Sequence, residues 1–285
     1  MIPYSIIQAQ VSQALAEDIG SGDITAALIP ENNHITAHLI CREQAILCGK
    51  DWFNEVFHQL NSRQDINQIH WTANDGDSLI KDQRVCTISG NARSILTGER
   101  SAMNFLQTLS GTATSTAHYV KYLEGSNVKL LDTRKTIPGL REAQKYAVRC
   151  GGAYNHRHGL FDGILIKENH IMAAGSIRNA VQNARNNSPH TLKIEVEIET
   201  LDELQEALSA KADILLLDNM ENNILIQAVQ INNSNHNHQA KLEVSGNITH
   251  ERLSELAYIG IDYISSGAIT KHITAIDFSL RFARD

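Results

Sequence analysis

Two carboxylates, two Ser-Gly corners and a cluster of cations are the groups in this chain whose types and spacing could do chemistry. Glu197 and Asp218 each close a short apolar run. A pair of hard oxygen donors on neighbouring strand ends suits Mg²⁺, which keeps waters and contacts phosphates as well. Ser245-Gly246 and Ser266-Gly267 close two further apolar runs and precede helix-like segments. Glycine lets backbone approach a ligand closely, and N–H groups at a helix start attract anions, so two such corners side by side resemble a phosphate cradle. Between residues 134 and 167 stand seven cations (Arg134, Lys135, Arg141, Lys145, Arg149, Arg157, Lys167) and two acids (Glu142, Asp162), which is +5 in a chain of −7 and leaves −12 on the remainder.

Arginine's planar fork matches a carboxylate with two bonds, and several such forks in one pocket imply a ligand with more than one carboxylate or phosphate. Arg134, Lys135, Arg157 and Lys167 sit at strand ends or in the loop Gly151–Gly159, and are the anion-binding candidates. Lys145 is expected on the solvated face of a helix after Pro138-Gly139, while Arg141 and Arg149 fit either role. A ring diacid, a pyrophosphate with Mg²⁺ and a phosphate cradle together point towards phosphoribosyl transfer. That chemistry needs no protein nucleophile, because departing pyrophosphate leaves an oxocarbenium-like ribose that a ring nitrogen captures.

Groups so far apart in sequence need a scaffold that gathers them. From about residue 128 short apolar runs recur at 128–131, 163–166, 192–196, 214–217, 242–244 and 263–264, each followed by a helix-like segment. Strand, loop and helix repeated six times means parallel strands joined by crossovers. Each run ends in polar or charged residues, as the C-terminal rim of a βα barrel requires. The spacing therefore predicts an α/β fold with a C-terminal, incomplete TIM-like barrel of about six parallel strands. Before it, a helix near 5–16 and alternating stretches at 34–47, 66–72 and 84–89 predict an α+β, sandwich-like N-terminal domain. Helices are expected at 93–109 and 112–123, broken at Gly111. The domains are then 1–110 and 111–273, with the tail 274–285 packing on the first. The Asn-rich stretch 231–238 reads as a solvated loop whose His236 and His238 could take up adventitious metal.

The length of 285 residues suffices for a core without disulfides or a structural metal, and a pI near 6.0 argues against bulk binding to nucleic acid or an anionic membrane. Cys41, Cys48, Cys86 and Cys150 form no C-x-x-C pair and are expected as free thiols of a reducing, cytoplasmic protein. No signal-like N-terminus and no long apolar run is present, so no transmembrane helix is expected.

The ordered motifs Asp132-Thr-Arg-Lys-Thr-Ile-Pro-Gly-Leu-Arg141, Gly152-Ala-Tyr-Asn-His-Arg157, Ile166-Lys-Glu-Asn-His170, Glu195-Val-Glu197, Leu216-Leu-Asp218-Asn219 and Ser265-Ser-Gly-Ala-Ile-Thr270 closely resemble the quinolinate phosphoribosyltransferase family. Glu17-Asp-Ile-Gly-Ser-Gly-Asp-Ile-Thr25 and Gly98-Glu-Arg-Ser-Ala-Met-Asn104 resemble it too, so the likeness covers nearly the whole chain. It implies a reaction in which quinolinate and phosphoribosyl pyrophosphate give nicotinate mononucleotide, pyrophosphate and CO₂, in de novo NAD synthesis. By motif position, Arg134, His156, Arg157 and Lys167 would surround quinolinate. Lys135, Lys167, Glu197, Asp218, Ser245, Gly246, Asn247, Ser266, Gly267 and Lys271 would hold phosphoribosyl pyrophosphate, with Mg²⁺ on Glu197 and Asp218. The family is a dimer, so Arg100 is expected to reach the quinolinate pocket of a neighbouring subunit; higher assembly stays open. Two positions depart from the family: Asn247 replaces a frequent glycine but tolerates positive φ, and Lys271 precedes His272 where a histidine is frequent, so either could face the phosphate.

Three rivals stand beside this reading. A relative acting on another pyridine acid would need fewer ring cations. A Schiff-base aldolase would want a lysine without a dense cationic neighbourhood. A non-catalytic phosphate-metabolite sensor would have no need of both Glu197 and Asp218.

Overall fold

The computed structural model describes residues 2–60, 68–235 and 239–283. In chain order the elements are α1 (Tyr4–Ile19), β1 (His34–Cys41), β2 (Ala45–Ile46), α2 (Lys50–Leu60), β3 (Gln68–Trp71), β4 (Ser78–Leu79), β5 (Arg84–Asn91) and α3 (Ala92–Lys121). There follow β6 (Lys129–Leu131), α4 (Arg141–Cys150), β7 (Ile164–Ile166), α5 (Glu168–Ala174), α6 (Ile177–Asn187), β8 (Ile194–Ile198), α7 (Leu201–Ser209), β9 (Ile214–Asp218) and α8 (Asn222–Ser234). The last are β10 (Lys241–Ser245), α9 (His250–Leu256), β11 (Tyr263–Ser265), α10 (Ala268–Lys271) and β12 (Phe278–Phe282).

The chain divides into two compact units. One comprises Met1–Ala117, Thr136–Gly152 and Thr270–Asp285; the other comprises His118–Lys135 and Ala153–Ile269. The chain thus passes between units four times, where the sequence suggested a single cut at 110/111 and a returning tail. Two local facts account for the difference. Helix α3 is continuous through Gly111, and α4 puts Ala143 and Ala147 into the same apolar cluster as Leu39, Trp52, Phe53 and Leu106. Gly111 is therefore not a helix break. A Cβ there would overlap the Thr274 carbonyl oxygen, so the glycine is required by close backbone approach, at a helix-propensity cost of about 1 kcal/mol.

The first unit holds an antiparallel sheet of order β12-β1-β5-β3 and the small pair β2-β4. The tail strand β12 is the edge partner of β1, with Leu39 opposite Leu280. Lys145, expected in solvent, is fully buried. Ala143, Gln144, Lys145, Ala147 and Val148 are all buried, so α4 is covered on more than one face and the solvated face expected to carry Lys145 is not there.

The second unit is the α/β part. Its six strands are all parallel, in the order β6-β11-β10-β9-β8-β7, with β6 and β7 at the two edges. This is the incomplete, barrel-like sheet that the strand count implies. Ile194, Val196 and Ile198 of β8, Leu215 and Leu217 of β9, and Leu242 and Val244 of β10 are buried. Because strand side chains alternate, the odd-numbered residues of β8 and β10 and the even-numbered residues of β9 share the other face. The Asn-rich stretch is helical as far as Ser234; His236 and His238 lie outside the described residues.

Candidate active site

The strand ends of the second unit bring together most of the residues singled out in the sequence. Strand β8 runs to Ile198, two residues beyond its expected end, which puts Glu197 inside the strand and still on the odd-numbered face. Its neighbour β9 ends at Asp218, which is paired in register with Ser245 at the end of β10. The Ser245 hydroxyl donates to Asp218 Oδ1, and the Asn219 amide donates to Asp218 Oδ2 at 3.0 Å. Lys167, just after β7, makes an ion pair with Glu197 Oε2. His170 explains part of its motif: its Nδ1 accepts the Lys167 backbone N–H at 3.0 Å and so fixes the turn that presents the lysine.

The two Ser-Gly corners are built differently. At the end of β10 the backbone is left-handed at Gly246 (φ 87°) and Asn247 (φ 47°), and Asn219 opposite is also left-handed (φ 54°). A Cβ on Gly246 would overlap the Asn219 amide, so the two loops touch through a position only glycine can fill. Arg252 then ties them, donating to Gly246 O at 3.0 Å and to Met220 O at 2.5 Å. Sequence reading passed over Arg252; an arginine six residues past a Ser-Gly corner was the only signal. At the end of β11, Ser266 donates its N–H to Leu131 O at 3.0 Å, and a Cβ on Gly267 would lie 2.8 Å from Cδ of Lys135. Glycine thus lets this corner press against the lysine stem. Lys271 ends the four-residue α10, and both it and His272 are exposed.

The cations divide by exposure. Arg134, Lys135 and Lys167 are exposed, as is Arg100 on α3 of the other unit. Arg157 is half-buried: its guanidinium donates to Gly163 O at 3.0 Å, and burial together with nearby Arg134 lowers its pKa. Glu195 and Asp162 act on Arg157 in the opposite sense.

Under this rim lies a cavity of about 570 Å³ that reaches from His156 and Arg157 to the strand starts at Ile214 and Tyr263. Two buried acids face into it, Glu195 and Glu243, each two residues below a rim residue on the same strand face. His156 stands between them, with Nε2 at 3.0 Å from Glu195 Oε2 and 3.7 Å from Glu243 Oε1. Burial first, and the Glu195 charge second, push the Glu243 carboxyl up to about 7. Sequence reading gave Glu195 only as part of a family motif and did not single out Glu243. The signal for the pair was a charged residue at i−2 from a strand-end acid or serine, in strands whose other face is wholly apolar.

His156 does not present a free ring nitrogen to the rim. Its Nδ1 accepts the Arg157 backbone N–H at 2.7 Å, and its Nε2 meets Glu195. Both ring nitrogens are thus engaged within the chain. Glu197 and Asp218 remain as two carboxylates without a third ligand. Among the described residues the cluster of three or more potential metal ligands is instead His156, Glu195 and Glu243. Two hard oxygen donors on a rim match Mg²⁺ that is shared with phosphates and water, and do not form a cage made by protein alone.

Comparison with known proteins bears on which anions these are. Residues 23–110 match the family described as quinolinate phosphoribosyl transferase, N-terminal domain, and residues 112–281 match its C-terminal domain. A probable nicotinate-nucleotide pyrophosphorylase [carboxylating] of Synechocystis is 39% identical over 283 residues, covering 99% of this chain and 95% of that protein. The Bacillus subtilis protein of the same description is 41% identical over 265 residues, 93% of this chain and 89% of its own. The solved nicotinate-nucleotide pyrophosphorylase from Francisella tularensis is 49% identical with a TM-score of 0.93, covering 99% of this chain and 98% of that one.

Proposed function

The chain belongs to the quinolinate phosphoribosyltransferase family, and on that premise we propose that it transfers phosphoribosyl from phosphoribosyl pyrophosphate to quinolinate with loss of CO₂. The products are nicotinate mononucleotide and pyrophosphate, in NAD biosynthesis. The observations that support this reading are a set of cations, with Arg134 close enough to Arg157 to lower its pKa and Lys167 paired with Glu197, and a set of acids at strand ends, Glu197 and Asp218. A diacid ring needs the first set and a phosphorylated sugar the second.

Arg134 and Arg157 bind the two ring carboxylates, and Lys167, paired with Glu197, stands between ring and ribose. Lys135, Ser245, Gly246, Asn247, Ser266, Gly267 and Lys271 hold the phosphates. Glu197 and Asp218 would hold Mg²⁺, which would supply charge neutralisation for the leaving pyrophosphate. The protein supplies position and field: as the C1–O bond of the ribose breaks, the ring nitrogen supplies the electron pair for the new C–N bond. The pyridinium nitrogen then draws charge from the ring. The C2 carboxylate leaves as CO₂, its bonding pair stays at C2 as an ylide, and C2 takes up a proton. Cations that hold the second carboxylate and exclude water favour this step.

We also propose a homodimer in which Arg100 completes the quinolinate pocket of the partner subunit, in the cytoplasm, where the free cysteines stay reduced. Among the described residues no helix is long and apolar enough to cross a membrane. CO₂ release from quinolinate that depends on phosphoribosyl pyrophosphate and Mg²⁺ tests the reaction, and absence of turnover from folded protein refutes it. Mixing inactive R100A with inactive E197Q tests the dimer, since only sharing of Arg100 between subunits restores activity in mixed dimers.

A further inference from the structure

We propose that Glu195 acts through His156 as a positioning residue for Arg157, so that a buried acid beneath the rim sets the geometry with which the ring acid is recognised. The proposal rests on the reading of Arg157 as a ring-carboxylate ligand.

Arg157 is held through its main chain as well as its guanidinium. Asp132, fully buried at the end of β6, accepts the His156 backbone N–H at 2.9 Å and the Asn155 side-chain amide at 2.6 Å. The next link is the imidazole, whose Nδ1 accepts the Arg157 N–H at 2.7 Å. A ring nitrogen that accepts carries no proton, so the proton of the neutral imidazole sits on Nε2 and is donated to Glu195 Oε2 at 3.0 Å. Glu195 therefore fixes both the tautomer and the ring plane, and the ring plane fixes the Arg157 amide. At the far end, the guanidinium is anchored to Gly163 O at 3.0 Å, where a Cβ on Gly163 would lie 3.2 Å from Arg157 Cβ. Glu195 is itself on β8 with Glu197 two residues on, so one rigid strand places both the support of Arg157 and the rim acid.

The same three side chains could be taken for a metal centre, since their ligand atoms lie within 4.8 Å of one another and Glu195 Oε1 and Glu243 Oε1 are buried without hydrogen-bond partners. The imidazole decides against it. A metal on Nε2 would move the proton to Nδ1, against the Arg157 N–H that now points at it. The third member, Glu243, is better served by a proton than by an ion.

Loss of a supporting partner of this kind costs about ten- to a hundredfold in activity, and a displacement of about 1 Å in a substrate-holding group is enough to produce it. In the whole enzyme, E195L should raise KM for quinolinate about ten- to a hundredfold while KM for phosphoribosyl pyrophosphate stays within about threefold. E195Q, which keeps an oxygen acceptor for Nε2–H, should recover most of that loss. In a cycle with R157A, the double variant E195L/R157A should be no worse than R157A alone. Additive losses, equal effects on both substrates, or no recovery in E195Q would overturn the relay. Imidazole ¹⁵N NMR of the parent enzyme provides a readout independent of turnover. An Nε2–H neutral ring at pH 7, lost in E195L, is expected; an Nδ1–H ring, an imidazolium or a bound stoichiometric metal would overturn the proposal. If R157A leaves KM for quinolinate unchanged, the ring-ligand reading fails and the relay with it, even where the NMR signature stands.

Discussion

Replacing Glu243 with glutamine should make the protein more stable, and only at neutral to alkaline pH. Glu243 is 1% exposed, beside Glu195, and its carboxyl is pushed from 4.5 up to about 7 by burial first and by the Glu195 charge second. Between these two values the folded chain keeps a proton that the unfolded chain has lost. Stability contributed by this group is therefore complete below about pH 4.5 and declines as pH rises towards 7. At about 1.4 kcal/mol per pH unit of difference, the full loss is about 3 kcal/mol. Glutamine is the neutral isostere and carries no such penalty. E243Q should gain about 3 kcal/mol over the parent at pH 8 and under about 1 kcal/mol at pH 5. In a protein of this size that is about 5–10 °C in the unfolding midpoint at pH 8. Urea unfolding of both proteins followed by far-UV circular dichroism at the two pH values measures it, and any pH-independent cost of the amide cancels in the comparison. An advantage of equal size at pH 5 and pH 8, or one that is larger at pH 5, would refute the assignment of a protonated Glu243 to the barrel interior.

Other expectations concern separate parts of the molecule. R252A unties the loops after β9 and β10, so KM for phosphoribosyl pyrophosphate should rise about tenfold with KM for quinolinate little changed, since each hydrogen bond to a charged donor is worth about 1.5–3 kcal/mol. Steady-state kinetics with each substrate varied in turn distinguishes this from a general loss. G111A should destabilise by about 1–3 kcal/mol in chemical denaturation, because its methyl group meets the Thr274 carbonyl; a gain in stability would restore Gly111 as a mere helix weakness. Cys150 is half-buried and its thiol pKa is lowered, mainly by the hydrogen bond with Cys48, whereas burial raises those of Cys41, Cys48 and Cys86. Iodoacetamide should label Cys150 first, as read by peptide mass mapping, and prior labelling of Cys48 would contradict the order.

Much of the rim could be read from the chain because each of its residues sits at a local punctuation mark. An apolar run of three to five residues that ends in Glu197, Asp218 or Ser245-Gly246 announces both a buried parallel strand and the end at which chemistry collects, and neither inference needs knowledge of distant contacts. The turn at Asn247 was legible for the same reason: a left-handed residue is a local backbone matter. Element limits were less secure. Gly111 looks like a helix break to any local rule, and its actual partner, Thr274, lies far along the chain.

What the sequence determined by itself was the set of chemical groups, the parallel strand order of events and the side of the sheet on which they gather, since alternation and turn chemistry act over a few residues. What the tertiary structure decided was which of those groups are free to meet a ligand. Lys145, expected on a solvated helix face, is sealed in the first unit, and His156 has both ring nitrogens engaged by the Arg157 amide and Glu195. Glu195 was read only as part of a family motif and Glu243 was not singled out, yet both are buried beneath the strand ends. Burial and hydrogen-bond satisfaction depend on elements brought together from 156, 195 and 243, and no pattern confined to one strand or helix encodes them.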